Sequence, residues 1–260
     1  MELIDTHAHL TFDGLQDHVD DVLARSRAAG VLQWITIGTD REHIDRVLAL
    51  LGRYPGLWAA FGYHPHYANA VADSDIDYLK QALRHERVVA VGETGLDYHY
   101  DNAVPDNQQR LFGAILDIAV EMQKPVIVHT RDAFDDTMRI LAEYDGKLAN
   151  VVIHCYGGNI EQTRYVLDKG YYVSFTGTVT FKRCQALREV AAMIPPQRTM
   201  LETDCPYISP EPVRKIRPNE PALMIHTARC LAGVHGMPLE RFAEITTAAS
   251  QSVFGLSGLC

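Results

Sequence analysis

Residues 3–10 read LIDTHAHL, and the spacing of His7 and His9 decides how the stretch must fold. Side chains two apart diverge on a helix but share a face on a β-strand. The two imidazoles converge on one point only if the segment is extended, with Leu3 and Ile4 leading into it. Working outward, similar short apolar runs recur: LQWITIG (32–38), LWAAFG (57–62), VVAVG (88–92), VIVH (126–129), VVIH (151–154), YYVSF (171–175) and TMLET (199–203). They are rich in Val, Ile and aromatic residues and of strand length.

Between these runs the spacing predicts helices near 15–29, 40–53, 75–85, 106–123, 133–144, 160–169, 184–194 and 220–235, with an extra helix near 238–254. Asp132 reads as the N-cap of the helix that follows it, Gly30 and Gly170 follow helix ends, and Pro125 divides a helix from a strand. Eight strands, each followed by a helix, with no linker or low-complexity break, predict a single (β/α)8 TIM-barrel domain over 1–260. A doubly wound sheet uses the same alternation, but no G-x-G-x-x-G follows the first strand.

Bulk properties narrow the function. The chain has 260 residues, 47% hydrophobic and 22% charged, and no run long and apolar enough to cross a membrane. Its five cysteines, Cys155, Cys184, Cys205, Cys230 and Cys260, are odd in number and widely spaced. That excludes a disulfide framework and favours a reducing cytoplasm. A net charge of −9 argues against a protein that coats nucleic acid, though not against one that takes a single end at a basic patch. Nothing marks an obligate protein partner.

The ionisable residues gather at one end of the predicted strands. Strand one ends in His7 and His9, strand three runs into His64, and strand four ends in GETGLDY with Glu93. Strand five ends at His129, strand six at His154 and strand eight in LETDCP with Asp204. In a barrel those ends meet at one mouth. Imidazoles with carboxylates suit zinc, manganese or iron better than an all-oxygen cage. Six ligands exceed one tetrahedral ion with an open position, so two ions sharing Glu93 would use them. His66, after Pro65, reads as structural, and Glu202 as an outer partner of a ligand. Cys155 and Cys205 alternate away from the ligands. Tyr63, Tyr98, Tyr156 and Phe181 lie near the mouth, where packing competes with base stacking.

The blocks THAH, GYHPH, GETGLDY, HTRDA, HCY and ETDCPY, in this order and over nearly the whole chain, closely resemble the TatD-type metal-dependent deoxyribonucleases of the amidohydrolase superfamily. The resemblance implies a barrel, one or two divalent ions (Mg2+, Mn2+ or Zn2+) and hydrolysis of phosphodiester bonds, typically from 3′ ends of DNA. It implies His7, His9, Glu93, His129, His154 and Asp204 as metal ligands. Many members carry R-G-K-x-N-x-P after strand eight, whereas this chain reads RKIRPNEP at 214–221. The glycine is absent and the block is one residue longer, a departure that falls on substrate binding.

On this reading Asp204 takes a proton from the attacking water, and His64 and Arg131 orient the phosphate. Arg214 and Asn219 contact the substrate, and Arg131, Lys182, Arg183, Arg214, Lys215 and Arg217 make the mouth positive on an acidic body. A single-stranded DNA end is the expected partner. The rival reading keeps the metals and changes the bond, to an ester or amide hydrolase such as an aminoacyl-tRNA deacylase. A metal-binding protein without catalysis would have no use for six such ligands.

Overall fold

Runs of β-branched residues and amphipathic stretches resolve into strands and helices close to the expected places. The computed structural model describes residues 1–256; Cys260 lies outside them. The strands are β1 (Leu3–Ala8), β2 (Val31–Gly38), β3 (Leu57–Phe61), β4 (Val88–Asp97), β5 (Val126–Arg131), β6 (Val151–Ile153), β7 (Tyr172–Phe175) and β8 (Thr199–Leu201). The helices are α1 (Val19–Ala28), α2 (Arg41–Leu50), α3 (Asp73–Ala82), α4 (Pro105–Met122), α5 (Phe134–Ala142), α6 (Ile160–Asp168), α7 (Gln185–Met193), α8 (Met224–Val234) and α9 (Leu239–Phe254). One eight-stranded sheet runs in sequential order from β1 to β8. Its pairings are parallel, and a parallel bridge from Ala8 to Cys205 brings β1 to the segment after β8. This is the element order of the (β/α)8 class, with α9 as the added C-terminal helix.

Two compact units make up the chain. The first comprises Met1–Thr36, Tyr54–Leu57 and the chain from Cys155 onward; the second comprises Ile37–Arg53 and Trp58–His154. In the first, Trp34, Phe175 and Phe242 are fully buried among aliphatic side chains, each such burial contributing about 1.5–3 kcal/mol. Trp34 Nε1 donates to Ser26 Oγ at 2.8 Å, which satisfies its only polar atom. In the second, Phe61, Phe112, Ile115 and Leu116 are buried in the same way. No helix among the described residues is long and apolar enough to cross a membrane. None of Cys155, Cys184, Cys205 and Cys230 is in a disulfide.

Three expectations need correction. Asp132 does not cap α5: Ala133 holds the N-cap position without a side-chain cap. The chain turns left-handed at Asp132 (φ 53°), and its carboxylate accepts from His99 Nδ1 at 2.9 Å instead. Strand β4 does not end at Gly92 but continues to Asp97, placing Glu93 inside it. Strand β8 ends at Leu201, so Asp204 stands in a loop with φ 52°. Gly30 and Gly170 do terminate α1 and α6, with φ of 88° and 73°.

The apolar run VVAVG stops at Gly92, yet Gly92 and Gly95 are what allows the strand to pass. Both have φ near 140°, and a Cβ at Gly92 would collide with Ile127, one at Gly95 with the His129 carbonyl. Between Val91 and Thr94 the β4–β5 register slips by one residue, a bulge centred on Gly92 and Glu93. A second irregularity lies between Asp5 and Ala8 on β1, around His7. Bulges re-aim side chains, and both occur where candidate ligands sit.

Candidate functional site

In the first unit, His7 projects from β1 and His9 lies one residue past its end. The chain stays extended there because His9 N–H donates to the Cys205 carbonyl at 2.9 Å. The Nε2 atoms of His7 and His9 are 3.2 Å apart. Asp204 Oδ1 is 3.8 Å from the first and 3.3 Å from the second. The backbone N–H of Asp204 donates to the His7 carbonyl at 2.9 Å, which ties the loop after β8 to β1. Behind them Asp5 is fully buried. Its carboxylate accepts from Thr203 N–H at 3.0 Å, Thr203 Oγ1 at 2.6 Å and His7 N–H at 3.3 Å. Burial pushes the Asp5 carboxyl up to about 7, against the pull of those hydrogen bonds.

In the second unit, Glu93 Oε1 is 2.9 Å from His129 Nδ1 and 2.8 Å from His154 Nε2, and these two nitrogens are 3.1 Å apart. His64 Nε2 stands 3.5 Å from the same carboxylate oxygen. Burial drives the His64 pKa down to about 3 despite that carboxylate. His64 is thus a neutral imidazole, a ligand or hydrogen-bonding group rather than a positive charge for phosphate. His154 follows β6 directly, fixed by its N–H to the Val128 carbonyl at 3.0 Å.

Both triads fit a cation. Ligand atoms sharing one ion at bond lengths of about 2.0–2.2 Å lie about 3.0–3.5 Å from one another. The six separations above range from 2.8 to 3.8 Å. Two-nitrogen, one-carboxylate sets suit a divalent metal, and His7, His9 and Asp204 form one such group and Glu93 and His129 another, there with His64 as a further imidazole.

Asp97 escaped the sequence reading. It is 1% exposed, and its Oδ2 accepts from His129 Nε2 and from His66 Nε2, both at 3.0 Å. Its Oδ1 accepts the N–H groups of His99 and Tyr100 at 2.9 and 3.2 Å. Burial opposes the charge, but these bonds outweigh it and hold the carboxyl well below the usual range. The same contacts with Asp97 and Glu93 raise the His129 pKa against its own burial. The signal was present in GETGLDY, since Asp97 lies two residues past Gly95; ending the strand at Gly92 hid it. His66, read as structural, belongs to this network.

Other candidates settle differently. Asn219 is fully buried: its Nδ2 donates to the carbonyls of Thr203 (3.1 Å) and Tyr207 (2.6 Å), and its Oδ1 accepts Glu220 N–H (3.0 Å). Its amide is committed to backbone and holds the loop after β8 in shape. Arg131 is exposed with its guanidinium 4.9 Å from the Tyr100 ring. Arg214 is exposed, 4.0 Å from the Phe181 ring and 3.9 Å from Glu211. The loop 211–217 that carries it lines an open groove of about 610 Å³. Glu202 holds Cys155 N–H at 2.6 Å and Ser174 Oγ at 2.6 Å. Tyr63, Tyr156 and Phe181 are buried, and the Tyr98 hydroxyl donates to Asp136 at 3.0 Å, so packing accounts for all four.

Comparison with known proteins points to a metal-dependent hydrolase. The family model described as TatD related DNase matches residues 4–255. The chain is 36% identical to an uncharacterized metal-dependent hydrolase, YabD, of Bacillus subtilis, over 98% of this chain and all of that one. It is 33% identical to a protein of Salmonella typhimurium named 3′-5′ ssDNA/RNA exonuclease TatD, over 97% of this chain and 98% of the relative. Among solved structures, the TatD homologue YjjV of Escherichia coli superposes with a TM-score of 0.92 at 32% identity, covering 98% of both chains. With its fold, the family match over nearly the whole chain and these relatives in agreement, the chain belongs to the TatD family of metal-dependent hydrolases.

Proposed function

We propose that this hydrolase removes nucleotides from the 3′ end of single-stranded DNA, with His7, His9 and Asp204 holding one divalent ion and Glu93, His129 and His154 a second. The observation that carries the reading is the pair of triads, whose ligand atoms lie 2.8 to 3.8 Å from one another, near the spacing a shared cation requires. The exonuclease name of the Salmonella relative supports the choice of bond. Divalent ions at such triads supply Lewis acidity to phosphoryl oxygens and a water nucleophile at neutral pH.

The chain's own residues supply the rest. Asp204 is partly exposed, at 15% of its side chain, and can accept a proton from water arriving from solvent. Asp97 fixes the ring of His129, and Asp5 fixes the backbone of His7. Arg131 presents an exposed guanidinium whose fork suits phosphate. Arg214, Lys215 and Arg217 give one exposed loop a positive face on an acidic chain. Thiols outside any disulfide suit a reducing compartment, and the cytoplasm is the proposed location.

The test uses protein stripped of metal and resupplied with Mg2+, Mn2+ or Zn2+, acting on 3′- and 5′-labelled single strands. Stepwise shortening from the 3′ end, lost in Asp204→Ala, is expected. Metal uptake without cleavage by any ion would overturn the nuclease reading in favour of ester or amide substrates.

A further inference from the structure

We infer that Tyr207, set edge to face with Phe12, is a stacking platform for the 3′-terminal nucleobase next to the His7–His9–Asp204 triad, an inference that rests on the nuclease reading above. Tyr207 is 52% exposed, although it lies only three residues after the ligand Asp204. Its ring centroid is 6.5 Å from that of His9, inclined at 67°, and 6.3 Å from that of Phe12, inclined at 82°. His9 in turn stacks on Phe12 at 4.4 Å and 28°. A metal ligand is therefore bordered by an aromatic surface, half of whose outermost member faces solvent.

The backbone under that ring is held from two sides. Tyr207 N–H donates to the Asp204 carbonyl at 3.0 Å, and the Tyr207 carbonyl accepts from the buried amide of Asn219 at 2.6 Å. A tyrosine so fixed loses little further conformational freedom when a flat ring settles on it. Every base offers a π-face, so such a platform binds an end without reading its sequence. Arg214, Lys215 and Arg217, farther along the same loop, carry the charge that the phosphates of a strand require. The other exposed tyrosines are engaged elsewhere: Tyr165 lies on α6, the Tyr67 hydroxyl donates to Asp40, and Tyr100 borders His66 and His99 with the Arg131 guanidinium 4.9 Å from its ring.

The test compares a short 5′-labelled oligothymidylate with one that ends in a 3′ abasic residue. Binding to metal-free protein is read by fluorescence anisotropy, and shortening is followed with Mn2+. Tyr207→Ala should weaken binding of the intact strand about five- to a hundredfold, the loss of one stacked base. Tyr207→Phe should stay within about twofold of wild type, because stacking needs the ring and not the hydroxyl. The abasic strand should bind wild type and Tyr207→Ala equally weakly. If Tyr207→Ala, with unchanged metal content, binds the intact strand as wild type does, the platform is overturned while the nuclease reading stands. If the substitution weakens both strands equally, the base is not what Tyr207 holds, and the platform is again overturned. If wild type neither binds nor shortens either strand, the nuclease reading fails and takes the platform with it.

Discussion

In the first unit two of three candidate ligands come from one stretch, His7-Ala8-His9, and the third from a left-handed loop residue, Asp204. In the second, Glu93, His129 and His154 come from three neighbouring strands or their ends. Each triad is backed by a buried carboxylate, but the two carboxylates grip different things. Asp5 accepts from backbone N–H groups and the Thr203 hydroxyl, so it fixes the chain. Asp97 accepts from the far nitrogen of His129, so it fixes a ligand ring and its tautomer. Loss of the first should therefore cost stability, and loss of the second should cost metal affinity.

Four substitutions probe that contrast. The largest effect is expected for Glu93→Ala, which removes the carboxylate shared by three imidazoles and should lower kcat about a thousandfold or more in the 3′-end assay. Asp97→Asn keeps the shape and removes the charge. Chelator competition should show about 10- to 100-fold weaker metal binding at the second triad and none at the first. Equal weakening at both would dissolve the contrast. Thr203→Val leaves Asp5 short of its 2.6 Å hydrogen bond and should destabilise the metal-free protein by about 1–3 kcal/mol, a Tm loss of a few degrees to about 10 °C by calorimetry. Metal affinity should change little. Arg214→Ala should be mildest, raising KM for an oligonucleotide about two- to fivefold, an effect that fades as salt rises.

The sequence and the structure part company along the same line. The strands, the C-terminal helix and all six candidate ligands were legible, because each candidate stands at or near the end of a short apolar run. The supports were not. Asp97 was hidden because the apolar run VVAVG stops at Gly92, and only the close approach of β4 to β5 shows why Gly92 and Gly95 belong inside a strand. Asp5 stood in the opening motif without a role, since its partner Thr203 is remote in sequence and arrives only when β8 lies near β1. Asn219 carried the family's motif yet serves the loop's own carbonyls, which no spacing rule reveals. Ligand type follows from local pattern; who holds the ligand depends on tertiary approach.

The most direct test of the two triads is a count of bound metal. Wild type, His9→Ala and His154→Ala would be loaded with Mn2+, dialysed, and assayed for ions per chain by mass spectrometry. Two separate triads predict roughly two ions in wild type and roughly one in each variant, lost from different halves. A wild type that holds a single ion, released by either substitution, would contradict it.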